Sequence, residues 1–259
     1  MNDKFLFKIK TVQSDAIKTL IETLKEILKD VPFIFDSTGI RLLAQDPTKV
    51  ALVYVKLDSN KFDQYYCKSR VVVGVNLITL SKLLKVLSKE DTLTFFMEAA
   101  NRDELGIELK NSQKKTKTTL RLRLLETDEE KIRIPNTTFE SIIIMPSGEF
   151  HKICKDMSGI GDNIEIKSIK DTLIFNCIGD SAKQETIIGK SDEGLTFDKE
   201  SDQIIQGLFS LKFLLMFTKA SNLHSSVQIL IKNDWPLILE YSIAGLGKLR
   251  FCLAPKCKE

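Results

Sequence analysis

Hydrophobic and polar positions alternate with a period of two along most of this chain. Thr119-Leu-Arg-Leu-Arg-Leu124 places Leu120, Leu122 and Leu124 on one face and Thr119, Arg121 and Arg123 on the other, as a strand with one buried side requires. Val227-Gln-Ile-Leu-Ile-Lys232 alternates almost as cleanly. Residues 50–57, 93–98, 141–145, 172–177, 237–243 and 249–253 are rich in β-branched and aromatic side chains and predict further strands. Ser37-Thr-Gly39, Gly161-Asp-Asn163 and Asn233-Asp234 supply turns between them.

Four segments have helical spacing instead. Ser14–Lys29 carries Ile17, Leu20, Ile21, Leu24, Ile27 and Leu28 three or four residues apart. Asn76–Lys89 carries Leu77, Leu80, Leu83, Leu84 and Leu87. Ser147–Ser158 carries Phe150, Ile153, Cys154 and Met157, and Leu208–Lys219 carries Leu208, Leu211, Leu215 and Phe217. Ser14 and Ser147 are placed as helix caps, with Glu149 supporting the first turn of the third helix.

The helices fall at repeating positions. Ser14 and Ser147 are 133 residues apart, and so are Asn76 and Phe209. The chain therefore reads as two copies of one plan, strands, helix, strands, helix, strands. Glu126-Thr-Asp-Glu-Glu-Lys-Ile-Arg-Ile-Pro135 lies between the copies, charged and closed by a proline, and reads as a linker. The expected domains are 1–125 and 136–259, joined by 126–135.

Composition narrows the function class. Among 259 residues, 43% are apolar and 28% charged, a globular balance. The longest nearly uncharged apolar run, Val71–Leu80, is ten residues, half of the roughly 20 that span a bilayer. The start, MNDKFLFKIK, has no apolar signal core. Five scattered cysteines (67, 154, 177, 252 and 257) indicate no disulfide framework, so a reducing compartment is expected.

The net charge of +3 announces no polyanion partner, but its distribution does. Of the 38 basic residues only seven are Arg. The four helical spans hold ten Lys against five acids, while the rest of the chain is slightly acidic. Lys18, Lys25, Lys82, Lys85, Lys152, Lys155, Lys212 and Lys219 all lie off the apolar stripes. Lysine is a flexible point charge, whereas the arginine fork reads guanine edges. Such a face suits salt-sensitive, sequence-independent contact with phosphates and permits sliding. On a single helix the same lysines would be ordinary solubilising residues; their recurrence on all four favours a shared role.

No catalytic constellation emerges. His151 and His224 have no metal-ligand spacing to each other or to a cysteine. His151, beside Phe150, reads as a solvent-facing or rim residue, and Cys154, Cys177 and Cys252 as core thiols. Gly189-Lys-Ser191 looks like the end of a phosphate-binding loop, but Gln184 stands where its first glycine belongs and no helix is predicted to follow. No cofactor, metal or enzymatic activity is expected.

Met145-Pro-Ser-Gly-Glu-Phe150, Ile153-Cys154 and Ile160-Gly161-Asp162 closely resemble the third-helix region of DNA sliding clamps of the proliferating cell nuclear antigen type. Gly74-Val-Asn-Leu77 with Ser81-Lys-Leu-Leu-Lys85 resembles that family's second helix, Phe217-Thr-Lys-Ala220 its fourth, and Leu253-Ala-Pro-Lys256 its C-terminal signature. The similarity runs from Val12-Gln13 to Lys256, with Ile134-Pro135 closing the linker at the family's position. It implies an α+β DNA-clamp fold, two similar domains each with two helices on antiparallel sheet. Three subunits would close head to tail into a ring, helices lining a hole for duplex DNA. By that likeness the eight lysines face DNA, and the ring tethers a DNA polymerase and other replication and repair proteins after a clamp loader places it.

The resemblance also implies a pocket for short aromatic partner motifs. The matching positions are Gln45, Lys49, Val50, Ile132, Ile134, Pro135, Pro236, Ala254 and Pro255. Cellular members usually carry Met and His at the first two, and Gly where Arg133 stands, so this pocket is more polar and positive. Subunit contact is expected from edge strands bearing Leu120, Leu122 and Leu124 in the first half and Thr186 and Ile188 in the second. Lys170 matches a lysine that cellular clamps modify with ubiquitin-like tags. The slightly basic balance, and a sequence ending at Glu259 without an acidic tail, suit a divergent or viral member acting in a nucleus or viral replication compartment. The competing expectation is a clamp-fold subunit of a heteromeric or checkpoint-type ring; lysines on all four helices favour the homotrimer. A nuclease or nucleotide-using enzyme is disfavoured by the failed search for motifs. No membrane partner is expected.

Overall fold

The computed structural model describes residues 4–127, 132 and 137–256. They form two compact units. Among the described residues, the first comprises 4–47, 54–127, 132 and 242–249, and the second 48–53, 137–241 and 250–256. Neither is one continuous stretch of chain.

In the first unit, a five-stranded antiparallel sheet has the order β5-β1-β7-β8-β9. Its strands are β1 (Phe5–Thr11), β5 (Gln64–Cys67), β7 (Thr92–Glu98), β8 (Asn101–Asn111) and β9 (Thr116–Arg123). A second layer pairs β2 (Asp30–Asp36) with β3 (Gly39–Gln45) on one side and β6 (Val71–Asn76) on the other. Helices α1 (Ser14–Leu24) and α2 (Leu77–Leu84) pack against each other. Their stripe of Ile17, Leu20, Ile21 and Leu80 meets Phe33, Phe35, Val75, Phe95 and Leu105 from the sheets. Full burial of each such side chain is worth about 1.5–3 kcal/mol, which is what holds short helices that would be marginal alone.

The second unit repeats this plan. Strands β11 (Asn163–Ile169), β12 (Thr172–Ile178), β13 (Lys183–Gly189) and β15 (Ile205–Ser210) form a sheet of order β13-β12-β11-β15. Strand β10 (Ser141–Pro146) pairs with β14 (Thr196–Lys199) and β16 (Ser226–Ile231), and β16 pairs with β17 (Leu237–Ile243). Helices α3 (Ser147–Ser158) and α4 (Leu211–Phe217) pack together over Phe150, Cys154, Met157, Leu214 and Phe217, all buried. Phe217 stacks on Phe251, centroids 4.5 Å apart. The remaining strands are β4 (Ala51–Asp58) and β18 (Gly247–Leu253).

Several local expectations change. Ser14 and Ser147 are the first helical residues rather than caps, and neither helix has a side-chain cap bond. The Ser147 hydroxyl instead donates to the His224 carbonyl at 2.6 Å. The true cap is Asn76, whose Oδ1 accepts from the Thr79 amide at 2.9 Å. Helix α1 ends at Leu24, not Lys29. Beyond it the amides of Glu26 and Ile27 bond three residues back, to Thr23 and Leu24, and this tighter winding keeps Ile27 and Leu28 buried. Likewise α2 stops at Leu84. The fourth helix begins at Leu211, because Leu208–Ser210 closes β15. Of the linker, the structure describes Glu126, Thr127 and Ile132; residues 128–131 and 133–136 lie outside the described residues. Its approach is fixed at Gly74, where the Leu125 amide donates to the Gly74 carbonyl at 2.9 Å. A Cβ on Gly74 would lie 2.1 Å from the Leu125 oxygen, so only glycine fits.

Candidate nucleic-acid interface

Six of the eight candidate lysines, Lys82, Lys85, Lys152, Lys155, Lys212 and Lys219, are exposed. They are exposed because the apolar stripe of each helix faces its own core, leaving the opposite face to solvent. Lys82 lies in the last turn of α2 with Lys85 as its C-terminal flank, Lys152 and Lys155 are on α3, Lys212 is in α4, and Lys219 is in the 3-10 turn Thr218–Asn222 that follows. Lys18 and Lys25 are only half-exposed. Lys18 is tied down: its ammonium donates to the Leu87 carbonyl at 3.3 Å, bridging α1 to the turn after α2. Such a bond satisfies a carbonyl at a helix end and holds the two helices together, so Lys18 has a structural duty that sequence pattern did not reveal.

Acids share these helices: Glu22 falls between Lys18 and Lys25 in the chain, and the exposed Asp156 follows Lys155 on α3. Asp15 and Glu149 occupy the first turns of α1 and α3, where carboxylates favour the positive helix end. His151 is half-buried rather than free on the rim. Its Nδ1 lies 2.9 Å from the Thr218 hydroxyl, linking α3 to the turn after α4. The sequence marked the histidine, but only the fold supplies its partner.

The edge positions separate into backbone and side chain. Strand β9 is the edge of its sheet, bonded only to β8 within the unit's five-stranded order, and β13 is the edge of the four-stranded sheet. Leu122, however, is 4% exposed and belongs to its own unit's core; Leu120, Thr186 and Ile188 are half-buried on their strands, while Leu124, also half-buried, lies past the end of β9 at Arg123. Any contact made by these edges therefore begins with main-chain groups. Ile187, 60% exposed, points outward between Thr186 and Ile188 and was not singled out by sequence.

Among the positions matched to a partner pocket, Ile134 and Pro135 lie outside the described residues. Gln45 ends β3 and is half-buried, and Ile132 is half-buried; both belong to the first unit. In the second unit, the Ala254 amide donates to the Val50 carbonyl at 3.0 Å, bringing those two positions together. Lys49 beside them is exposed with φ +59°. Pro255 joins a groove of about 500 Å³ with Gln206, Leu208, Asn233, Trp235 and Lys256. The Lys256 amide is anchored on the Leu208 carbonyl at 2.8 Å. Trp235, neighbour of the half-buried Pro236, is the chain's one tryptophan, and that singularity was the available signal for a residue the pattern missed. Lys170 is exposed at the β11–β12 turn with φ +50°.

Among the described residues the thiols are unactivated. Burial pushes Cys154 up to about 12. Burial also raises Cys252 to about 11 against the opposing pull of Arg250, and it raises Cys67 and Cys177. A thiol so placed is protonated at neutral pH and a poor nucleophile. Cys154 and Cys177 are core residues as expected, whereas Cys252 is half-buried. Among the described residues no three His, Cys, Asp or Glu side chains gather as metal ligands, and no helix is long and apolar enough to cross a membrane.

Two similar α+β units, each with a helix pair over antiparallel sheet, define a clamp-type chain. The chain belongs to the proliferating cell nuclear antigen family. The family model described as "Proliferating cell nuclear antigen, N-terminal domain" matches residues 6–131, and that described as "Proliferating cell nuclear antigen, C-terminal domain" matches residues 133–256. A relative from Paramecium bursaria Chlorella virus 1, "Probable DNA polymerase sliding clamp 1", is 39% identical over 259 residues, covering 98% of each chain.

Proposed function

We propose that this chain is a DNA polymerase processivity factor, three copies of which close head to tail into a ring around duplex DNA. The observation that carries the reading is the recurrence of exposed lysines on the helix pairs of both units, at Lys82 and Lys85, Lys152 and Lys155, and Lys212 and Lys219. Cations on flexible stems, without arginine, hold phosphates without reading bases, so the ring follows a moving polymerase. Lys25 supplements this surface and Lys18 chiefly braces it. Pairing of the β9 edge of one copy with the β13 edge of the next is the closing contact, and it is heterologous, so it closes only at the right rotation per subunit. Within the second unit, Lys49, Val50, Pro236, Ala254 and Pro255 receive partner motifs, among them the polymerase's, and a loader opens the ring. The protein acts as a scaffold rather than a catalyst, where DNA is replicated in a nucleus or viral factory. The exposed, left-handed turn at Lys170 leaves its ammonium accessible to a modifying enzyme.

Two measurements test this. Light scattering on the pure chain is expected to give about three times 29.4 kDa. Product length by the cognate polymerase on a long primed circle, with a loader, is expected to rise. A monomer at all concentrations together with unchanged product length would overturn the reading.

A further inference from the structure

The β8–β9 hairpin carries Lys110, Lys114, Lys115 and Lys117 within eight residues and no acid among them. All four are exposed. Lys110 and Lys117 sit directly opposite each other across the two strands, an arrangement of like charges that costs stability, and Glu108 relieves only Lys117, at 2.7 Å. Lys115 holds φ +52°, a left-handed conformation in which glycine or asparagine is the favoured residue. The hairpin thus accepts two local costs to keep lysine at these places.

It is also held fast against the lysine-bearing helix. The Asn111 side-chain amide donates to Asp91 Oδ1 at 2.8 Å in the interior, and Asp91 Oδ2 accepts from the Ser88 amide at 2.9 Å in the turn after α2. Asn111 Oδ1 in turn accepts from the Lys114 amide at 2.9 Å. One buried carboxylate therefore ties the hairpin tip to the turn after α2, which holds Lys89 and follows Lys82 and Lys85 at the end of that helix.

We propose that the hairpin is a second phosphate-contacting surface, extending the cationic path of α2 so that duplex DNA is held beyond the helical layer. The inference rests on the reading of the α2 lysines given above. The chemistry around the charges favours nucleic acid over an acidic protein. Ser112, Gln113, Thr116 and Thr118 are exposed hydrogen-bonding side chains of the kind that contact phosphates. The tip, residues 110–119, holds no Trp, Tyr, Phe or Arg of the sort that anchors protein interfaces.

The test compares the full chain with K114A/K115A, K115G and K82A/K85A in binding to a random-sequence duplex between about 50 and 200 mM salt, with light scattering on each. Each lost phosphate contact lowers the slope of log affinity against log salt by about 0.9. K114A/K115A is expected to lower it by about 1–2 with assembly unchanged. K115G relieves the left-handed backbone, so it folds at least as well as the parent and still lowers the slope. An unchanged slope in both hairpin variants overturns the proposal. So does loss of assembly at unchanged slope, which would make the hairpin a contact between copies. Loss of binding to a polyglutamate peptide at unchanged duplex slope would assign the surface to an acidic protein and also overturn it. If instead K82A/K85A alone leaves the slope unchanged, the reading of the α2 face fails while the hairpin stands.

Discussion

Lys18 and Lys82 look alike in sequence, both off the apolar stripe of a helix, yet they should respond differently to replacement by alanine. Lys82 is exposed on α2. If its ammonium neutralises one phosphate, K82A lowers the salt slope of duplex binding by about 0.9, which changes the affinity ratio across a fourfold salt range by about 3.5-fold. Its folding stability should move by no more than about 0.5 kcal/mol, as for other surface positions. Lys18 is half-exposed and donates to the Leu87 carbonyl at 3.3 Å. A hydrogen bond from a charged group contributes about 1.5–3 kcal/mol when fully buried; partial exposure reduces this to about 1 kcal/mol. K18A should therefore lower the melting temperature by about 2–4 °C and change the salt slope by less than K82A does. Fluorescence anisotropy with a labelled duplex and calorimetry on the same preparations give both numbers. If K18A matched K82A in slope and melted like the parent, the assignment of Lys18 to bracing the helices would be refuted.

Four further outcomes follow from the packing and charge. Phe217→Ala removes a buried ring stacked on Phe251 and should cost about 3–5 kcal/mol in urea unfolding. Gly74→Ala drives a Cβ to 2.1 Å from the Leu125 oxygen; it should cost about 1–3 kcal/mol and increase proteolysis next to Leu125. At Asp36, burial alone would raise the carboxyl. Hydrogen bonds from Thr38 and the Arg41 guanidinium outweigh it and hold the group below the ordinary carboxylate range. The resulting stabilisation is full above the unfolded carboxyl's pKa and is lost as pH falls through the lowered folded value. Asp36→Asn should accordingly melt below the parent at neutral pH and converge with it in acid. Thr218→Val removes the hydroxyl beside His151 Nδ1 and should lower stability by about 1 kcal/mol without altering the salt slope, since neither residue is a lysine of the exposed face.

The elements most legible in sequence were those whose pattern coincides with burial. Helix α3 could be read to the residue and strand β9, expected over 119–124, to within three residues, because Leu122, Phe150, Ile153 and Met157 are apolar where the chain turns inward and polar residues flank them where it turns out. The repeat was legible for the same reason: α1 and α3 begin 133 residues apart in the fold as in the pattern. Boundaries were less so. Apolar spacing continued through Ile27 and Leu28 although the α-helix had stopped, because a 3-10 turn buries nearly the same positions. Leu208 lay on the helical template by chance of phase while belonging to β15. Serine at a helix start suggested caps, but Pro146 and Gln13 occupy the cap positions, and the Ser147 hydroxyl bonds the His224 carbonyl instead.

The sequence by itself determined that this chain has a duplicated α+β plan, that its helices carry lysine without arginine, and that no nucleophile or metal motif stands out. Each of these is a local property of residue type and spacing. Tertiary structure decided which of the lysines are exposed and that Lys18 is tied down. Lys18 meets Leu87 and His151 meets Thr218 across 69 and 67 residues of chain, and Asp91 fastens the hairpin tip across 20. Such pairings depend on how packed elements bring distant atoms within hydrogen-bonding range, and no periodicity along the chain encodes that distance.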